Sequence, residues 1–96
     1  MRVTVTIQAK VNQGGYRALE PFLRENLPNV RSFPGALNVS ILFNSQTNDF
    51  LIHEEWLSEE HHQAYLQAIT ENGVLARLAG FFEAQPVIHY YRKEEI

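Results

Sequence analysis

From Arg2 to Ala9 the chain alternates without a break, placing Val3, Val5, Ile7 and Ala9 on one side of an extended segment and Thr4, Thr6 and Gln8 on the other. Such a strand has one face to bury and one polar face, so its register is fixed by what covers the apolar side. After a turn at Asn12 to Gly15 the period changes. Tyr16, Leu19, Phe22, Leu23, Leu27 and Val30 recur at helical spacing and predict an amphipathic helix. Pro21 and Pro28 fall inside it, and proline removes a backbone donor and crowds the preceding turn, so a kink or break is expected near one of them.

Ser32-Phe33-Pro34-Gly35 reads as a loop, and alternation resumes from Ala36 to Phe43, with Leu37, Val39, Ile41 and Phe43 on one side and Asn38 and Ser40 on the other. The polar run Asn44 to Asp49 predicts a hairpin into a third strand, Phe50 to Trp56. Ser58, followed by Glu59 and Glu60, is an N-cap signal for a helix running to about Asn72, with Ala64, Tyr65, Ala68 and Ile69 as its inner stripe. Gly73 ends or bends that helix. Val74, Leu75, Leu78, Phe81 and Phe82 then resume helical spacing up to Gln85, Pro86 opens a last strand over Val87 to Arg92, and Lys93 to Ile96 form a charged tail expected to fray.

The order strand, helix, strand, strand, helix, strand specifies an α+β fold: the ferredoxin-like βαββαβ arrangement, an antiparallel sheet with its helices on one face. Thr4, Thr6, Gln8, Asn38 and Ser40 share the other face, which predicts a second copy of the sheet covering it around a partly polar cavity. Composition points the same way. A single domain of 96 residues with 45% hydrophobic and 11% aromatic content carries more apolar surface than so small a core readily buries, so a homodimer is expected. A net charge of −3 without any Lys/Arg cluster argues against a nucleic-acid binder, and the absence of cysteine excludes disulfides and thiolate chemistry. Met1 to Lys10 alternates rather than forming a continuous apolar core, and no run suits a membrane span, so a cytoplasmic location away from membranes is expected.

Asp49 to Leu66, DFLIHEEWLSEEHHQAYL, gathers most of the chemistry: His53, His61 and His62, the one tryptophan and several carboxylates within one strand-to-helix junction. Alternation puts Glu54 on the same strand face as Trp56, and His53 and Glu55 on the opposite face. Trp56 is either a core anchor or a cavity wall, and Glu54 either a structural hydrogen-bonding group or a general base. His61 and His62 point about 100° apart on a helix, and no H-E-x-x-H pair exists, so no metal site is expected. His62 is either an exposed helix residue or a titratable group facing a cavity. His89 and Tyr90 take opposite orientations, and the sequence does not decide which of them faces inward.

The Pro-Gly before the second strand, together with the F-x-x-x-E-x-W-x-S run of Phe50, Glu54, Trp56 and Ser58, resembles the antibiotic biosynthesis monooxygenase family of dimeric α+β barrels. That family includes cofactor-independent oxygenases of quinols and polyaromatic phenols, haem-degrading enzymes and proteins without assigned activity, and fold alone does not choose among them. Many members carry a histidine nine residues after the motif tryptophan, where this chain has Tyr65. The haem-degrading branch places its iron-ligating histidine ten residues further on, where Leu75 stands, and an asparagine in the first strand, where Thr6 and Gln8 stand. The phenol oxygenases place a polar aromatic residue six positions after the tryptophan, here His62, and an asparagine four before it, here Ile52.

The resemblance implies a monooxygenase that uses no metal, haem or flavin and acts on a hydroquinone or phenolic aromatic. His62 or His53 would accept the substrate proton, Tyr65 would hydrogen-bond its oxygen, and Trp56 and Phe50 would supply ring contacts. Ile52, Glu54, Thr6, Gln8 and Tyr90 complete the expected pocket. The other reading is a non-catalytic dimeric module of the same fold, binding a small apolar ligand without a correctly placed base.

Overall fold

Each alternating segment forms a strand and each helical stripe a helix. The computed structural model describes residues 2–96; Met1, at the head of the first alternating segment, lies outside them. The elements are β1 (Val3–Lys10), α1 (Tyr16–Arg31), β2 (Ala36–Phe43), β3 (Asp49–Trp56), α2 (Glu59–Glu71), α3 (Val74–Ala79) and β4 (Val87–Tyr91). The strands pair antiparallel in the order β2-β3-β1-β4, the ferredoxin-like arrangement. Alternation delivers Val3, Val5 and Ile7 of β1, Val39 of β2, and Phe50, Ile52 and Trp56 of β3 into one buried core with Leu19, Phe22, Leu23 and Val30 of α1.

Four details depart from the sequence pattern. The two prolines do not break α1, which runs as one helix through both of them. Pro21 and Pro28 are both exposed, so the carbonyls they leave unpaired can be hydrated rather than buried. Leu37 is 41% exposed instead of facing the core, because the β2–β3 register shifts between Ala36 and Asn38 and the extra residue turns outward.

In α2 the residues fully buried are His62 and Ile69, whereas Ala64 is exposed. Finally, α3 stops at Ala79. Phe81 and Phe82 leave the helix and pair back on the end of β1, through Asn12 N–H to the Phe81 carbonyl (2.9 Å), a bridge between Val11 and Phe82, and Glu83 N–H to the Lys10 carbonyl (2.9 Å). No helix among the described residues is long and apolar enough to cross a membrane.

Candidate functional site

The site is assembled where β3 hands over to α2. Ser58 caps α2, its hydroxyl accepting from the His61 N–H at 3.2 Å, and that start sets the helical phase that points His62 inward over Trp56. The loop before β2 braces the same corner. Ala36 N–H donates to the Phe33 carbonyl (3.0 Å) across Pro34-Gly35, a turn with Gly35 at φ 93°, and the Leu57 N–H donates to the Gly35 carbonyl (2.9 Å). A methyl group on Gly35 would overlap the His61 ring, so this close approach requires glycine twice over.

Behind that corner lies a buried polar chain. The Trp56 indole N–H donates to Glu54 Oε1 at 2.7 Å, His62 Nε2 stands 3.5 Å from the same oxygen, and His62 Nδ1 is 2.7 Å from the Tyr90 hydroxyl. Trp56 and His62 are fully buried and Glu54 is 3% exposed. Burial therefore dominates both titrations: it pushes the Glu54 carboxyl up to about 7 despite the Trp56 hydrogen bond, and it pulls the His62 imidazole down to about 4. His62 Nε2 has no hydrogen-bond partner at its present separation from Glu54. Between the two pKa values the carboxyl keeps its proton and the imidazole stays neutral.

Glu54 also reaches a cavity of about 50 Å³ between the sheet and the helices. The walls are apolar, among them Ile52, Ile69 and Leu78, and the polar groups lining it are Glu54, Tyr65 and Asn26. Burial, and then the charge of Glu54, raise the Tyr65 phenol to about 12, so Tyr65 stays a hydrogen-bond donor through neutral pH. Its ring packs against Phe33 (centroids 5.3 Å apart) and Trp56 (5.5 Å), which hold it in place. Chemically this is a water-poor pocket with one ionisable carboxyl group near neutrality and one phenolic donor.

Of the residues singled out in the sequence, Glu54, Tyr65 and Ile52 line this cavity, and Trp56, His62 and Tyr90 form the chain behind Glu54. His62 is neither exposed to solvent nor part of the cavity lining, and Tyr90 rather than His89 faces inward to meet it. Phe50 is buried on the same sheet face but packs on Phe82, centroids 5.5 Å apart, away from the cavity. His53, Thr6 and Gln8 lie on the opposite sheet face and are not brought to it. There, Thr6 pairs in register with His53 on one side and His89 on the other, and its hydroxyl is buried without a partner.

Asn26 was not anticipated, although it sits one turn beyond Phe22 and Leu23 on the inner stripe of α1; a polar residue in that apolar register was the available signal. Among the described residues no group of three or more His, Cys, Asp or Glu is placed to hold a metal ion.

Solved structures with the same fold are numerous. A conserved protein from Methanosarcina mazei superposes with a TM-score of 0.86 at 13% identity, covering 98% of this chain and 94% of that one. Rv0793 from Mycobacterium tuberculosis gives 0.84 at 10% identity, covering 100% and 98%, and an antibiotic biosynthesis monooxygenase gives 0.83 at 13% identity, covering 96% and 98%. At these identities the likeness establishes fold alone. No curated protein sequence matches the chain. The sequence itself matches the antibiotic biosynthesis monooxygenase profile over residues 2–70, which takes in the first three strands and nearly all of α2, and so includes Glu54, Trp56, His62 and Tyr65; the chain belongs to the antibiotic biosynthesis monooxygenase family.

Proposed function

We propose that the protein is a cofactor-independent monooxygenase acting on a hydroquinone or phenolic aromatic. The observation that carries this reading is Glu54, a carboxyl group almost sealed from water at an apolar cavity, with its pKa pushed up to about 7. A base poised there is substantially ionised near neutrality and is a far better proton acceptor than an ordinary carboxylate. Family membership supports the reaction class; the cavity supports the residue roles.

In this reading the substrate hydroxyl gives its proton to Glu54 while Tyr65 donates a hydrogen bond to the substrate oxygen. Trp56 keeps the carboxyl aimed, and His62, held neutral by burial, stands behind it. The resulting anion is electron-rich enough to reduce oxygen directly. One electron passes to O₂, the two radicals combine at a ring carbon, and the O–O bond breaks with release of water. The ring gains one oxygen and loses two hydrogens, the second oxygen leaves as water, and the substrate supplies all four electrons that reduce O₂. A dry cavity favours this course because it keeps bulk water from reprotonating the anion and from carrying off the reduced oxygen before the radicals combine.

The test is oxygen consumption with a panel of hydroquinones and phenols. Turnover should rise with pH through about 7 as Glu54 ionises. Glu54→Gln should lower it by about 10²–10⁴-fold, the usual contribution of a positioned base. Turnover unchanged in Glu54→Gln would remove this carboxyl from the mechanism. No oxygen uptake by the wild type on any substrate would favour the non-catalytic ligand-binding module instead.

A further inference from the structure

The cavity beside Glu54 poses a problem of size. About 50 Å³ holds a few water molecules at roughly 10–15 Å³ each, not an aromatic ring, so a substrate needs adjoining space. That space exists on one side. An open groove of about 340 Å³ runs between α1 and β2, and Leu23, Leu27 and Ile41 line both it and the cavity, forming the partition between them. Leu23 is buried and its position fixed, whereas Leu27 and Ile41 are only half-buried. Leu27 on the helix side and Ile41 on the strand side are therefore the less tightly packed part of the partition.

The groove differs from the cavity in charge. Arg24, Arg31 and Tyr16 line it, with Glu20 as its one acidic group. One Nη of Arg31 donates to the Val39 carbonyl at 3.1 Å, which fixes the guanidinium on the groove wall and leaves its remaining donors free. Arg24 is held by Glu20 at 3.1 Å, but both side chains are largely exposed, so that ion pair is weak enough for a better acceptor to compete.

We propose that the ligand of this site is an aromatic anion: its ring enters the Glu54 cavity past Leu27, and its acidic substituent rests against Arg24 and Arg31 in the groove between α1 and β2. The inference deepens the proposed oxygenase reading by naming the substrate class, and it rests on that reading for the ring's position beside Glu54. Placing the ring at Glu54 and the acid at the arginines keeps the two negative groups at opposite ends of the ligand. It also gives α1 a functional face, with Asn26 toward the cavity and Arg24 toward the groove.

A matched pair of probes tests this without any turnover. 8-Anilinonaphthalene-1-sulfonate and N-phenyl-1-naphthylamine share their rings and differ by the sulfonate. Trp56, the single tryptophan, lies buried beside the cavity-lining Tyr65, so quenching of its emission reports occupancy. The sulfonated probe should bind about tenfold tighter than the neutral one, the effect of one charge-assisted contact at the modest end of its range. Arg24→Gln and Arg31→Gln should each erase several-fold of that difference and leave the neutral probe unaffected. Arg24→Gln is the cleaner of the two because Arg24 makes no bond to the backbone. Leu27→Phe, which thickens the partition without adding a second tryptophan, should weaken binding of both probes.

Leu42→Gln, on the open sheet face, should change neither. Equal affinity for the two probes, or sulfonate binding that responds to Leu42→Gln and not to the arginines, would overturn the proposal. Loss of oxygen uptake with probe binding intact would strike the reaction alone, and the converse would strike the anion site alone.

Discussion

The two faces of the sheet obey the same alternation and end in opposite chemistry. On the covered face, Glu54, Trp56 and the helix residue His62 meet where no water reaches, and the carboxyl rises to about 7 while the imidazole falls to about 4. On the uncovered face, His53 and His89 flank Thr6 across three strands, His53 half-buried and His89 exposed. Residue type does not separate the two sets, since each sets a histidine beside a tyrosine hydroxyl, His62 by Tyr90 at 2.7 Å and His89 by Tyr91 at 3.4 Å. What separates them is the layer of helices. Removing water is what drives the carboxyl up and the imidazole down.

The sharpest way to break this contrast is to empty its centre. Trp56→Ala removes a fully buried indole that packs against Phe33, Tyr65 and His62 and also steadies Glu54, so it should cost about 3–5 kcal/mol. His53→Ala on the other face of the same strand should stay within about 0.5 kcal/mol in an isolated chain. Urea denaturation of both variants measures the difference. Comparable losses would mean that something covers the open face as thoroughly as the helices cover the other.

A second test uses pH. His62 has a folded-state pKa below its unfolded value, so stability is lost as pH falls from about 6.5 toward 4. Glu54 has a folded-state pKa above its unfolded value, so stability is lost as pH rises from about 4.5 toward 7. The two slopes oppose each other between about 4.5 and 6.5, and this pair should leave the wild type nearly flat there. Glu54→Gln should unmask the histidine slope, with stability rising by up to about 3 kcal/mol as pH increases across that window; His62→Gln should show the reverse slope. Parallel pH profiles in the two variants would show that burial does not shift the two groups in opposite directions.

The smallest expected effect concerns the uncovered face itself. Leu42, Val87 and Tyr91 are each about half exposed there, and a buried Thr6 hydroxyl lacks a partner, so pairing of two copies through this face is the expected assembly. Light scattering at micromolar concentration should give twice the 11.1 kDa chain mass. A particle of 11.1 kDa would leave that face to solvent and make the contrast between the faces absolute.

By itself the sequence determined the strands, the two long helices and the faces. Period two in Val3–Ala9 and in Phe50–Trp56 is read directly as a pleat, and the Ser58 cap fixes where α2 begins, because these depend on local geometry that neighbours in the chain dictate. Glu54 and Trp56 were legible as face-mates for the same reason. Three features were decided only in tertiary structure. The bulge that exposes Leu37 arises from how β2 registers on β3. The departure of Phe81 and Phe82 from helical spacing depends on a pairing with Val11 some 70 residues earlier in the chain.

His62 was read as an exposed or cavity-facing base and became a fully enclosed partner of Glu54, because its environment is supplied by Tyr90 from β4 and Trp56 from β3 as well as by its own helix. Ionisation depends on solvation, and solvation is a property of the packed layers. For that reason the proposed base is the carboxyl group of Glu54 and not one of the histidines that stand out in the sequence.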